Sequence, residues 1–217
     1  MIRLRSIAKE NRPLRLLCIG AHSDDLEIGC GGTILSWIKE LPFLEVTWAV
    51  IAADSDREVE ARRSAKALLR GADAVRMHFG QFQDGFLPAH FAKVKAFFED
   101  LKRIENPDVI FTHGLDDRHQ DHRLIGELTW NTWRDHLIYE YEIPKYEGDL
   151  LQLNAYVPLT KSVAHRKAAH LIRYFGSQRS KDWFREEVFM AQMLIRGVEC
   201  RAPSGYAEAF NARKFVL

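Results

Sequence analysis

Short apolar runs alternate with stretches of helical periodicity over the first 140 residues, and this alternation narrows the fold more than any other feature. Residues 14–20, 45–52, 74–79, 107–112 and 137–141 read as strands. Between them, 33–40, 57–70, 91–104 and 123–134 read as helices. Strands separated by helices in this way build a parallel sheet, and right-handed crossovers place the helices on its two faces. The expected fold is therefore α/β and Rossmann-like, with a mostly parallel sheet of about five strands and helices on both faces. Functional loops are expected where strands end at their carboxyl edge. Beyond residue 160 the pattern becomes helical: 161–175 carries Ala164, Ala168, Leu171, Ile172 and Phe175 at helical spacing, and 183–196 is a second such stretch. These C-terminal helices, about 160–217, are expected to pack on the sheet, making 1–217 a single domain.

Composition excludes several classes of function. Of the 217 residues, 47% are apolar and 28% charged, which is too apolar for a disordered chain. Lysine plus arginine (31) balances aspartate plus glutamate (30), leaving no broad basic field for a nucleic-acid backbone. Cys18, Cys30 and Cys200 are odd in number and far apart, which disfavours a disulfide framework and suits a cytoplasmic protein. Arg3, Arg5, Lys9, Arg12 and Arg15 precede an apolar run at 16–21 that is too short for a signal core. Nothing approaches the length of a membrane span, so membrane insertion is not expected, and a homo-oligomer is left open.

Two segments at strand ends concentrate the polar chemistry: 21–32, AHSDDLEIGCGG, and 113–122, HGLDDRHQDH. Histidine and carboxylate are the ligands that zinc and similar divalent ions accept. Two adjacent carboxylates, Asp24 and Asp25, are costly at the buried end of a strand unless a cation compensates them. Helix capping would account for one of them, but not for its neighbour or for His22. In the second loop Asp117, His119, Asp121 and His122 fall within six residues. Many doubly wound orders place the first and fourth strands side by side at the switch point, and in such an order the two loops converge on a shared metal site. Gly29, Gly31 and Gly32 superficially suit a dinucleotide-binding turn, but their spacing departs from G-x-G-x-x-G. Asp24, Asp25 and Glu27 would also face a pyrophosphate with like charge. The glycines fit better as a close approach of a helix start to the strand ends.

The segments His22-Ser-Asp-Asp25 and Glu27-Ile-Gly-Cys-Gly-Gly-Thr33 resemble the A-H-P-D-D-x-E-I-G-x-G-G-T loop of the LmbE-like (PIG-L) zinc-dependent N-acetylglucosaminyl deacetylases. His119-Gln-Asp-His122 is similar to their second motif, H-x-D-H, and the likeness extends to Arg57-Glu-Val-Glu60, Asp84-Gly85, Ser177-Gln178 and Tyr206-Ala-Glu-Ala-Phe210. Ser23 stands where the family usually has proline, which loosens the turn and removes no ligand. The resemblance implies His22, Asp25 and His122 as metal ligands, with Zn2+ as the metal and Fe2+ as the alternative. It implies Asp24 as general base, His119 as the group stabilising the oxyanion, and Asp121 as support for the histidine pair. Arg57 and Asp84 would hold sugar hydroxyls. The implied reaction removes acetyl from an N-acetylamino sugar of the GlcNAc type, carried on a soluble small molecule or glycoconjugate. The alternatives are hydrolysis of a different amide on the same scaffold, or a non-catalytic metal- or sugar-binding protein.

Other residues have plainer explanations. Arg57 and Glu60 would also suit surface ion pairs, and His113 either lines the cleft or is satisfied by backbone at its strand end. His165 and His170 suit packing in an amphipathic helix, and Cys30 suits packing among the glycines. Trp48, Trp130, Trp133 and Trp183 read as core or interface residues, with Trp183 beside Phe184 as a potential wall for a sugar ring. The aromatic and acidic groups of 206–210 would contribute to the substrate end of the cleft.

Overall fold

The computed structural model describes residues 12–214, so Arg3, Arg5 and Lys9 of the basic N-terminal cluster lie outside it. A parallel core is formed by β1 (Leu14–Gly20), β2 (Leu44–Val50), β3 (Ala74–Phe79), β4 (Val109–His113) and β5 (Leu137–Tyr141). Two further strands, β6 (Ala155–Leu159) and β7 (Tyr206–Ala212), extend it to seven among the described residues, in the order β3-β2-β1-β4-β5-β7-β6. β7 runs antiparallel to both of its neighbours. The expectation of about five strands, with helices throughout 160–217, is corrected here. In β7 (YAEAFNA) the β-branched residues that announce a strand are absent. In β6 the sequence contains Pro158, and the strand occupies the sheet edge, where proline is tolerated.

The helices are α1 (Asp25–Glu40), α2 (Ser55–Leu68), α3 (Phe91–Ile104), α4 (Gln120–Thr132), α5 (Lys161–Tyr174) and α6 (Glu186–Cys200). Alternating residues of each strand feed two cores. Leu14, Leu16 and Cys18 of β1 join the cluster that includes α1, α5 and α6. Leu17 and Ile19 join the cluster packed with α3 and α4. Chain direction across the sheet reverses between β1 and β4, which pair through Leu16–Cys18 and Val109–Phe111. A crevice opens beyond such a switch point.

Helix α1 begins at Asp25, eight residues before the expected start at 33, because tertiary packing outweighs the low helix propensity of glycine. Its glycines are sites of close approach inside the helix. A Cβ on Gly29 would strike the Tyr141 ring, and one on Gly32 would meet Leu159 and the Glu208 carboxylate. The Tyr141 ring is held there by its hydroxyl, which donates to Ile19 O at 2.7 Å. Gly29→Ala is therefore expected to lower stability by about 1–3 kcal/mol, the usual cost of overpacking, which a thermal or urea melt would read.

Buried polar bonds tie α1 to α2 and α5. Ser64 donates to Glu27 Oε1 at 2.5 Å, and its oxygen lies 2.8 Å from His170 Nε2. Burial pushes the Glu27 carboxyl up to about 8. Burial, and then Arg166 and Arg173, depress the His170 imidazole to about 4. On acidification the unfolded chain takes up this proton first. The contribution of His170 is thus intact above its ordinary value of 6.5 and is lost as pH falls towards 4. His170→Gln should flatten that part of the stability–pH curve, measured by urea unfolding at a series of pH values.

Candidate metal centre and active site

The two sequence-predicted loops meet at the switch point. The first leaves β1 after Gly20 and is held against β2, where Ile51 N–H donates to Gly20 O at 3.0 Å and Ala52 N–H to Ala21 O at 2.7 Å. On the β4 side the strands have parted, and Ala21 N–H donates to the side chain of His113, reaching Nε2 at 3.0 Å. His22 and Asp25 enter from this loop, and His122 from the first turn of α4. All three are buried.

Their ligand atoms form a small triangle. His22 Nδ1 lies 3.0 Å from His122 Nε2 and 3.5 Å from Asp25 Oδ2, and His122 Nε2 lies 3.5 Å from Asp25 Oδ1. Metal–ligand bonds of the length zinc uses give tetrahedral edges of roughly 3.3–3.5 Å; each pair of these side chains approaches to about that separation, with the two histidines meeting different oxygens of Asp25. The outer nitrogens are braced by carboxylates. His122 Nδ1 is 3.0 Å from Asp117 Oδ2, while His22 Nε2 is 2.9 Å from Asp84 Oδ1 and 3.2 Å from Asp121 Oδ2. Protons assigned to those outer nitrogens leave lone pairs on His22 Nδ1 and His122 Nε2, facing each other across 3.0 Å. Such a pair requires a cation between the rings, either a proton or a metal ion.

Electrostatics agree on that demand. Burial lowers the His122 imidazole to about 3, aided by the neighbouring His113. Burial alone would raise Asp25, but His122, His113 and His22 overcome it and hold the carboxyl well below its ordinary value. At His22 the burial cost is outweighed by Asp25, Asp121 and Asp84, which pull the imidazole well above its usual range. A divalent ion taking the place of the His22 proton would meet two neutral imidazoles and one carboxylate, a set that fits zinc or iron(II).

The remaining predicted residues surround this triangle. Asp24 occupies the N-cap position of α1, yet its side chain makes no capping bond, and its buried Oδ2 has no hydrogen-bond partner. Burial, then the charge of Asp25, raises its carboxyl to about 6. His119 caps α4 by accepting Asp121 N–H on Nδ1 at 3.3 Å, which places its own proton on Nε2. Burial, then His22, lowers this imidazole, so it is a neutral donor. Its ring meets the His22 ring edge-on, with centroids 4.9 Å apart.

Asp121 is fully buried and accepts Gly85 N–H at 2.7 Å and Leu87 N–H at 3.1 Å in addition to facing His22. Its carboxylate thus braces one histidine and a distant turn, whereas the brace on His122 is Asp117. Asp117 also accepts His119 N–H at 2.8 Å and lies 3.1 Å from Lys145. Sequence reasoning noted Asp117 without giving it a role. Its available signal was an acidic side chain five residues before a candidate histidine ligand at a strand-to-helix loop. His113, at the end of β4, is fully buried, stacked on His122 with centroids 3.9 Å apart and 3.0 Å from Asp25.

Arg57 pairs with Asp84 at the rim, and Glu60 accepts Ser177 N–H at 3.0 Å and its hydroxyl at 2.5 Å. His165 lies near Tyr206, with ring centroids 6.1 Å apart, and Cys30 donates to Leu26 O at 3.3 Å inside α1; each is a packing residue. Trp48 and Trp133 are core, and Trp183 is half-buried against Phe184. Residues 206–210 belong to β7, where Glu208 accepts the N–H groups of Gly32 (2.8 Å) and Thr33 (2.6 Å) and pairs with Lys167 at 2.6 Å. Its expected contribution to the substrate end is replaced by this internal bonding.

Residues 17–133 match the family described as PIG-L, GlcNAc-PI de-N-acetylase, and the chain belongs to that family. Its fold is shared by several solved structures. The N,N'-diacetylchitobiose deacetylase from Pyrococcus horikoshii is 22% identical, with a TM-score of 0.71 over 91% of this chain and 82% of that one. The 4-carboxy-2-hydroxymuconate hydratase from Pseudomonas putida is 17% identical, with a TM-score of 0.73 over 94% and 98%. A zinc-inhibited form of teicoplanin deacetylase is 14% identical, with a TM-score of 0.67 over 90% and 96%. Among the described residues no helix is long and apolar enough to cross a membrane.

The purified protein is expected to bind about one divalent ion per chain, and His22→Ala or His122→Ala should strip it, as measured by elemental analysis after dialysis. Full retention of metal in both variants would place the ion elsewhere.

Proposed function

We propose that this chain is a single-domain, zinc-dependent N-deacetylase, with iron(II) as the alternative metal, that removes acetyl from an N-acetylamino sugar of the GlcNAc type. The reading rests on one cluster: His22, Asp25 and His122 with their ligand atoms close together, accompanied by the buried carboxylate of Asp24, whose Oδ2 has no hydrogen-bond partner, and the neutral imidazole of His119. A divalent ion held there would supply Lewis-acid chemistry, acidifying a water and polarising the amide carbonyl.

The protein's own groups account for the proton movements. Asp24, raised to about 6 and free of hydrogen-bond partners at Oδ2, takes the proton of the attacking water and delivers it to the departing nitrogen. His119 donates from Nε2 to the oxygen on which negative charge develops. Asp117 and Asp121 hold the two ligand imidazoles in the orientation that exposes their inner nitrogens. Arg57 and Asp84, paired with each other and partly exposed, would meet the hydroxyls of a sugar ring. Three free cysteines suit action in the cytoplasm, and a soluble glycoconjugate is the substrate class favoured.

Metal-loaded protein incubated with a panel of N-acetyl sugars and their glycosides should release acetate, detected by coupled assay. Absence of acetate from every sugar, together with turnover of a non-sugar amide, would replace the substrate class. Absence of any hydrolysis in the metal-loaded protein would favour a binding role. The two neighbouring aspartates separate the roles within the site. Asp25→Ala should lose metal, whereas Asp24→Asn should keep it while kcat falls by about 10²–10⁴-fold with KM little changed. Near-native turnover in Asp24→Asn would remove it as the base.

A further inference from the structure

The turn that carries Asp84 does more than present a carboxylate to solvent. Asp84 Oδ1 lies 2.9 Å from His22 Nε2, while Oδ2 is held by the Arg57 guanidinium. The placement is imposed from α4. Asp121 accepts the N–H groups of Gly85 and Leu87, and the Gln120 side chain donates to Gly85 O at 3.2 Å. Gly85 has φ +80, a left-handed conformation that glycine adopts without strain and that turns the chain so Asp84 faces inward. His22 Nε2 therefore faces two carboxylates of different character. Asp121 is completely buried and already accepts two backbone N–H groups; Asp84 has a side chain 41% exposed, sits closer to the ring nitrogen and can be reached from solvent.

We propose that Asp84 is a positioning residue for His22: it fixes the imidazole through one oxygen and Arg57 through the other, and so joins the rim of the site to the hold on a divalent ion. The inference rests on the metal reading above and extends it. A group that only met sugar hydroxyls would influence substrate affinity alone. A group that orients the rear nitrogen of a ligand histidine also influences metal affinity, because it keeps the opposite nitrogen's lone pair aimed into the triangle. A sugar hydroxyl that reaches Asp84 would share an oxygen with Arg57 or His22, since each oxygen already has one partner and can accept a second.

The test titrates Zn2+ alone into metal-free protein against a chromophoric chelator, with no substrate present. Asp84→Asn is expected to weaken Zn2+ binding by about 10–100-fold. Arg57→Ala, which leaves the Asp84 carboxylate on His22, is expected to stay within a few-fold of wild type in Zn2+ affinity while raising KM. The thermal midpoint of each metal-free variant separates lost affinity from lost folding. If Asp84→Asn does not fold, Asp84→Ser is read by the same titration, with the same loss expected. Wild-type Zn2+ affinity in the folded Asp84 variant overturns the inference and leaves the metal centre standing. A wild-type protein that binds no Zn2+ overturns the metal reading itself.

Discussion

The site is organised by a shortage of positive charge. Asp24, Asp25, Asp117 and Asp121 are all buried within a few residues of one another along two loops, and Asp84 adds a fifth carboxylate at the rim. Burial of that much negative charge would be prohibitive without compensation. The chain supplies part of it with His22, part with Lys145 on Asp117, and part with Arg57 on Asp84. What remains is concentrated where two imidazole nitrogens and one carboxylate point at a common centre. The cleft between β1 and β4, the parting of those strands and the capped start of α4 all serve to bring these groups together before any ligand arrives.

Much of the scaffold was legible because its signals are local. Strands β3 and β5 and helix α3 have the bounds expected from their apolar runs and periodicity. The convergence of the two loops was legible too, because many sheets of alternating strands and helices set the first and fourth strands side by side, as this one does. Three features were hidden for physical reasons. The first half of α1 contains Gly29, Gly31 and Gly32, which read as a turn until the Tyr141 ring, supplied by a strand over a hundred residues away, is seen to occupy the space. Strand β7 places a glutamate in the interior, where only Lys167 on α5 and the N–H groups of α1 make it tolerable. The braces on the ligand histidines depend on which ring nitrogen faces which carboxylate, and spacing along the chain carries no such information.

The internal bonding of Glu208 also shows how a helix with a glycine-rich face is secured. Lys167 donates to Ile28 O and to Glu208, which in turn accepts from Gly32 and Thr33, so one buried ion pair engages the middle of α1 on both its donor and acceptor groups. The ionic strands of this contact come from the C-terminal third of the chain. That region lies outside the stretch matching the family, yet it grips the helix whose first residue is Asp25.

The two backbone bonds that Asp121 accepts bear on motion. Hydrogen bonds to a charged group contribute about 1.5–3 kcal/mol each, and Gly85 and Leu87 spend theirs on a carboxylate that no water reaches. Swinging this turn outward would strand a bare charge in the interior, so the segment that carries Asp84 behaves as a fixed element. A group that binds against it meets a shape already in place, and the ordering cost that a closing flap would impose on binding is avoided.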